Sequence, residues 1–143
     1  MKWSQKQTIL FTETISIVFV ILFVYAAVSK FLDYEKFTIQ VSQSPILTSI
    51  GHWIVFLIPT MEIVIAMLLA LPRLRLLALY ASYSLMVMFS TYILIILEFS
   101  PFIPCACGGI LDSMGWTAHL IFNLFFVAIA TIGILLLTQK SVT

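Results

Sequence analysis

The fold class is decided by residues 116–137, WTAHLIFNLFFVAIATIGILLL, a continuous apolar run without Asp, Glu, Lys or Arg. A helix of about 20 such residues crosses a bilayer core about 30 Å thick. Three further apolar runs precede it, at about 8–28, 53–71 and 76–97; the first carries Glu13 and the second carries Glu62. Strands of outer-membrane barrels alternate apolar and polar residues over about 9–11 positions, unlike these runs. The sequence therefore predicts an all-α integral membrane protein, a four-helix bundle that forms one domain over residues 1–143.

The composition supports the same class of protein. Of the 143 residues, 62% are hydrophobic and 9% are charged, whereas soluble domains have about 45–50% apolar and about 25% charged residues. The formal net charge is +1, which lacks the basic excess that nucleic-acid binding requires. The expected surroundings are therefore a lipid bilayer, and no nucleic-acid partner is expected.

The basic residues predict how the bundle is oriented. Those assigned to one end are Lys2, Lys6, Arg73, Arg75 and Lys140. The other end carries Lys30 and Lys36 beside Asp33 and Glu35. Because Lys and Arg accumulate in cytoplasmic loops, both termini are predicted to be cytoplasmic and the segments 29–52 and 98–115 to face the outside.

Two expectations concern the first outer segment and the first span. The segment 30–51 mixes polar and apolar residues and is predicted to hold a short interfacial helix that ends before Pro45. The first span is alternatively a cleaved signal peptide, since Lys2 and Lys6 precede it. However, its apolar run exceeds the usual length of about 7–15 residues, so we expect a retained helix.

The two cysteines of the chain stand in Pro104-Cys105-Ala106-Cys107-Gly108-Gly109, on a segment assigned to the outer, oxidising side. A disulfide that closes so short a ring stabilises by only about 1.6 kcal/mol in the chain-entropy model, against about 3 kcal/mol for a 15-residue loop. Strained or exposed disulfides are the reactive ones. We therefore predict a redox role for Cys105 and Cys107.

Two other interpretations of the cysteine pair stay open. The pair is structural or incidental in the first, and it binds a metal with His52 or His119 in the second. The Cys-x-Cys spacing departs from the Cys-x2-Cys of zinc modules, so no metal site is predicted.

Polar residues inside the apolar runs are the remaining site candidates. His119 and Asn123 are four residues apart, hence on one helix face, and His52 begins the second span at the same membrane level.

Glu62 lies about 14 Å inside the second span, where a charged group costs about 2.5–3.5 kcal/mol, so it is expected to face the bundle interior. Its candidate roles are a proton relay, a ligand contact or a packing hydrogen bond. His119 is a candidate proton acceptor for a thiol, whereas Glu13, near the cytoplasmic end, is expected to snorkel.

These residues resemble a known family. The chain is similar to MauE/DoxX-like membrane proteins, and it is more similar to the methylamine-utilisation (MauE) branch than to the DoxX branch. The resemblance lies in four spans, Ser29-Lys30-Phe31 at the end of the first, Glu62 in the second and the cysteine stretch leading to Trp116-Thr117-Ala118-His119. The resemblance implies a bacterial inner-membrane protein that acts beside periplasmic thioredoxin-like proteins. It also implies redox-active Cys105 and Cys107.

The hypothesis from the sequence is thus a membrane redox protein in which Cys105 and Cys107, with His119 as a catalytic group, exchange thiols and disulfides with a thioredoxin-like partner or a secreted thiol substrate. Glu62, His119 and Asn123 are the hypothetical contacts of a quinone that takes or gives the electrons. The alternative is a non-enzymatic accessory or assembly subunit of a larger membrane complex. A small-solute transporter has only Glu62 in its favour.

Overall fold

The computed structural model describes residues 3–44, 47–99 and 115–142. These residues form α1 (Gln5–Leu32), α2 (Tyr34–Gln43), α3 (Gly51–Ala70), a 3-10 turn (Pro72–Leu74), α4 (Arg75–Phe99) and α5 (Trp116–Val142). The segments Gln5–Leu32, Gly51–Ala70, Pro72–Phe99 and Trp116–Val142 are long and apolar enough to cross a membrane. The predicted all-helical fold with four spans is confirmed, and the chain is a multi-pass membrane protein.

The helices are somewhat longer than the apolar runs that predicted them. The clearest case is α1, which continues beyond Val28 through Ser29 and Lys30 to Leu32. It ends where the Asp33 amide donates to the carbonyl oxygen of Ser29 at 3.0 Å. Lys30 therefore belongs to the last turn of a spanning helix and not to an outer loop.

The four long helices form a closed ring. α1 packs most extensively against α3, and α4 against α5, while contacts of α1 with α5 and of α3 with α4 complete the bundle. The central apolar cluster includes the fully buried Phe19, Phe23, Leu69 and Leu79 and the small Ala130. Within a bilayer, such helices associate through close packing and not through loss of water, because lipid chains are as apolar as the side chains.

Gly133 allows one of the closest approaches in this packing. A Cβ atom at this position of α5 would lie 3.1 Å from Leu79 Cδ1 and 3.4 Å from Ile15 Cγ2. The absence of a side chain therefore lets α5 approach α4 and α1 at the same level, as small residues do between membrane helices.

Buried hydroxyl groups in the spans are satisfied within their own helices. Thr12 Oγ1 donates to the carbonyl oxygen of Thr8 at 2.9 Å, and Ser16 Oγ donates to that of Thr12 at 2.8 Å. Ser82 Oγ makes the same bond to Ala78 at 2.8 Å. These side chains add no unpaired donor to the apolar interior, where such a donor is costly.

The helix α2 lies across one end of the bundle and packs on α3 and α1. Its Phe37 and Val41 form a small apolar cluster with Val55. A Cβ atom on Gly51 would lie only 2.9 Å from Val41 Cγ1, so glycine lets α2 lie directly on the start of α3. The predicted short helix is confirmed, its interfacial position stays a prediction, and Pro45 lies outside the described residues.

Candidate functional site

Lys30 and Glu62 form an ion pair between the last turn of α1 and the middle of α3. Lys30 Nζ lies 2.9 Å from Glu62 Oε1 and 3.2 Å from Oε2, and it donates to the carbonyl oxygen of Ala26 at 3.4 Å. The Glu62 side chain is 1% exposed and the Lys30 side chain 19%. Each N–H group of the ammonium therefore has an acceptor, and Glu62 faces the interior as predicted.

Other helices also contribute to the surroundings of the ammonium. The rings of Phe37 in α2 and Phe89 in α4 lie with their centroids 5.9 and 6.0 Å from Lys30 Nζ, within the range of cation–π attraction. Since one charged side chain in a span costs about 2.5–3.5 kcal/mol, the pair is the arrangement that makes both charges tolerable. Side chains from α2, α3 and α4 thus converge on Lys30.

A cavity of about 420 Å³ lies beside the ion pair and is lined by all five helices. This volume is within the range of about 300–1,000 Å³ that is usual for small-molecule sites. Most of its wall is apolar. The polar and charged residues that line it are Ser29, Lys30, Glu62, Tyr92, His119 and Asn123. A largely apolar cavity with a few convergent polar groups is the usual form of a binding site.

Asn123 is the polar residue of the cavity with an unused donor. The residue is 2% exposed, and its Nδ2 atom has no hydrogen-bond partner in the described part of the chain. A buried donor that is left without a partner costs about 1–3 kcal/mol. A ligand acceptor that came within hydrogen-bond distance of Nδ2 would recover this cost.

The structure brings together three residues that the sequence grouped as ligand contacts. Glu62 reaches the cavity from α3, and His119 and Asn123 reach it from successive turns of α5. This convergence follows from the 3.6-residue period of α5, which places positions i and i+4 on one face. Their function as ligand contacts stays a prediction.

Two other sequence candidates, His52 and Glu13, do not join this site. His52 is exposed at the start of α3, where the centroid of its ring lies 6.0 Å from that of Trp53 and 6.2 Å from that of Phe56. Glu13 is exposed on α1. Cys105 and Cys107, the predicted redox pair, lie outside the described residues. In the described ranges, no three His, Cys, Asp or Glu side chains are grouped so that they could hold a metal ion.

Sequence reasoning missed Lys30, the partner of Glu62. The apolar run of the first span ends at Val28, so Lys30 was assigned to the outer loop, where it served the orientation and the family resemblance but not the site. The signal that identifies it is the requirement of a buried carboxylate for a cation at similar depth. Lys30 is the basic residue nearest to a span end on that side of the bundle.

The family model described as methylamine utilisation protein MauE matches residues 8–136, which include all four spanning helices apart from the start of α1 and the end of α5. Neither the curated proteins nor the solved structures provide a match. A family match over nearly the whole length, on a four-span helical bundle, assigns the protein: the chain belongs to the MauE family of methylamine utilisation proteins.

Proposed function

We propose that this protein is a membrane redox component of methylamine utilisation, in which Cys105 and Cys107 exchange thiols and disulfides with a periplasmic thioredoxin-like protein or a secreted thiol substrate. One cysteine forms the mixed disulfide by thiolate attack on sulfur, and the other resolves it. The exchange oxidises one dithiol to a disulfide while it reduces the other disulfide to a dithiol. Two electrons and two protons pass between the partners.

The observation that carries this proposal is the position of the largely apolar cavity relative to the cysteine segment. The segment connects Phe99, at the end of α4, to Gly115, just before α5. α1 ends and α3 begins at this same end of the bundle, because the four spans alternate in direction. The cavity therefore offers a membrane-embedded place for an electron carrier on the side where the thiols are attached.

His119 is the described residue best placed to act between the thiols and the cavity. It lies four residues after Gly115, whose carbonyl oxygen accepts a bond from the His119 amide at 2.9 Å, and it lines the cavity. An imidazole can accept and release protons near neutral pH. We assign His119 the transfer of the thiol proton.

The proposed location is the bacterial inner membrane, with both termini in the cytoplasm and the cysteine segment in the periplasm. The ion pair supports the orientation predicted from the basic residues. Lys30 is paired with Glu62 inside the bundle, so it should not be counted with the outer loops. Of the basic residues in the described outer segments, Lys36 then remains, and it is accompanied by Asp33 and Glu35. The opposite end carries the excess of Lys and Arg expected of a cytoplasmic side.

Thiol trapping in cells tests the proposal. Cells that express the protein are treated with an alkylating reagent of known mass after the periplasm has been made more oxidising or more reducing. We expect the fraction of alkylated Cys105 and Cys107 to change with the treatment. Single Cys105→Ser and Cys107→Ser variants should differ, since the variant that lacks the resolving cysteine accumulates a mixed disulfide that reductant releases.

Growth on methylamine separates this proposal from an accessory subunit. In a host that lacks its own copy of the protein, the double variant C105S/C107S should fail to restore growth while the parent protein restores it. Equal membrane levels of the two proteins, measured by immunoblot, are the control. Full restoration by the double variant would reject the redox proposal and favour an assembly subunit.

A further inference from the structure

We propose that the cavity binds a lipid-soluble quinone, which enters from the bilayer between α3 and α4 and accepts a hydrogen bond from Asn123 through a carbonyl oxygen. The inference rests on the proposed thiol exchange for its purpose, since it identifies the electron carrier of that reaction. The binding site itself is formed by described helices and can be tested without the cysteines.

The charges of the cavity favour a neutral ligand. Lys30 and Glu62 are paired through both carboxylate oxygens, so their charges cancel within the site. An anion would have to compete with Glu62 for the ammonium, and a cation would have to compete with Lys30 for the carboxylate. Breaking a buried pair in this way leaves one of its two charges without a partner, a loss that a neutral ligand avoids.

The unpaired donor of Asn123 favours a ligand that carries a hydrogen-bond acceptor. Its Nδ2 atom is buried and unpaired among the described residues, and it lies seven residues into α5, which corresponds to about 10 Å along the helix axis. The hydrocarbon part of a lipid chain has no acceptor to offer. A quinone combines a carbonyl acceptor with an apolar body and a flat ring.

The remaining wall suits a flat apolar body. The aromatic side chains of Phe89, Tyr92, Trp116 and Phe122 line the cavity. Aromatic rings attract one another in offset-stacked or edge-to-face arrangements. A conjugated ring held among these side chains gains packing contacts that a branched or strongly hydrated molecule does not.

The route into the cavity lies between α3 and α4. Leu57 and Met61 of α3 and Met88 of α4 line the cavity, and they are 53%, 39% and 46% exposed within spanning segments of the chain. We assign this flank as the opening of the cavity toward lipid. Methionine side chains are unbranched and adapt readily to different neighbours, so they suit an opening through which an apolar molecule passes sideways.

The redox step balances without another reactant. The Cys105–Cys107 dithiol loses two electrons and two protons and forms one S–S bond. The quinone gains the same two electrons and two protons, and its two carbonyl groups become the two hydroxyl groups of a hydroquinone. The reverse direction consumes a hydroquinone and reduces the disulfide.

Fluorescence quenching of Trp116 tests the binding. The full chain carrying W3F and W53F keeps Trp116 at the cavity wall as its single tryptophan, and C105S/C107S excludes thiol reactions. This protein is titrated in lipid nanodiscs with ubiquinone that bears one isoprene unit. We expect saturable quenching, and about tenfold weaker binding for Asn123→Leu, the factor that corresponds to a lost hydrogen bond of about 1.4 kcal/mol. The matched control Leu124→Ala changes an exposed neighbour and should bind as the parent does.

Quenching that rises linearly to the solubility limit, or equal affinity of the Asn123→Leu and parent proteins, overturns the proposal and leaves lipid chains as the occupant. An azido-quinone gives a second measurement on the parent chain that does not depend on the folding of the variant. Its photolabel should map to peptides of α3, α4 and α5 that line the cavity, and labelling confined to other surfaces also overturns the proposal. Quinone binding is measured on the cysteine-free protein, so this test and the thiol-trapping test can fail separately. Failure of quinone binding does not reject the thiol exchange, and failure of thiol trapping does not reject the quinone site.

Discussion

A double-mutant cycle on Lys30 and Glu62 measures what the ion pair contributes to the bundle. The two single variants, Lys30→Met and Glu62→Gln, should not be equivalent, because the exposure of the two side chains differs. Lys30→Met leaves a carboxylate that is 1% exposed without its cation, and removal of one partner from a buried pair costs about 3–5 kcal/mol.

Glu62→Gln should cost less. The amide oxygen of glutamine can still accept a bond from the ammonium, and Lys30, at 19% exposure and in the last turn of α1, can extend toward the interface. The loss is then that of one hydrogen bond to a charged group, about 1.5–3 kcal/mol. The double variant lacks both charges, so its cost should be smaller than the sum of the two single costs.

Reversible unfolding of the purified protein by SDS in mixed micelles, followed by circular dichroism, gives the free energy of unfolding for the four proteins. We expect a coupling energy of at least about 1 kcal/mol, whereas independent sites add within about 0.3–0.5 kcal/mol. Additive costs, or a Glu62→Gln variant less stable than Lys30→Met, would refute the inference that the two charges support each other inside the bundle.

Three further predictions use stability or binding rate as the measurement. Gly133→Val should lower the free energy of unfolding by about 1–3 kcal/mol through overpacking, while Gly115→Ala, whose Cβ meets nothing within 4 Å, should cost less in the same SDS titration, because its penalty is only that of alanine at a helix N-cap. Ser4→Ala should cost about 0.5–2 kcal/mol, because Ser4 Oγ accepts from the Gln7 amide at 3.3 Å and the Gln7 side chain accepts from the Ser4 amide at 3.1 Å; an unchanged midpoint would show that α1 does not depend on this cap. Met61→Phe should slow stopped-flow quenching by the quinone without abolishing it, and an unchanged rate would place the access route elsewhere.

The spans were predictable from the sequence because each is a long apolar run, and the length of such a run is fixed by the bilayer. The inward position of Glu62 followed from the cost of exposing a carboxylate to lipid. The shared face of His119 and Asn123 followed from helical periodicity alone. These inferences need only one helix at a time.

The partner of Glu62 and the cavity depend on how helices are arranged against each other. Lys30 is 32 residues away in the chain, and its pairing with Glu62 requires α1 and α3 to be neighbours in the correct register. The cavity likewise arises where all five helices leave space, which no hydropathy pattern records. The cysteine segment shows the opposite case, since the sequence predicts a chemistry for it while its residues lie outside those the structure describes.

The close packing of α2 on Gly51 affects which molecules can enter the cavity. Phe37 and Val41 both line the cavity, so α2 covers it at the end of the bundle where α1 ends and α3 begins. A bulkier residue at position 51 would push α2 away from α3, because a Cβ atom would already lie 2.9 Å from Val41 Cγ1. The resulting gap would admit hydrophilic compounds from solution, and the cavity would no longer select compounds that partition into lipid.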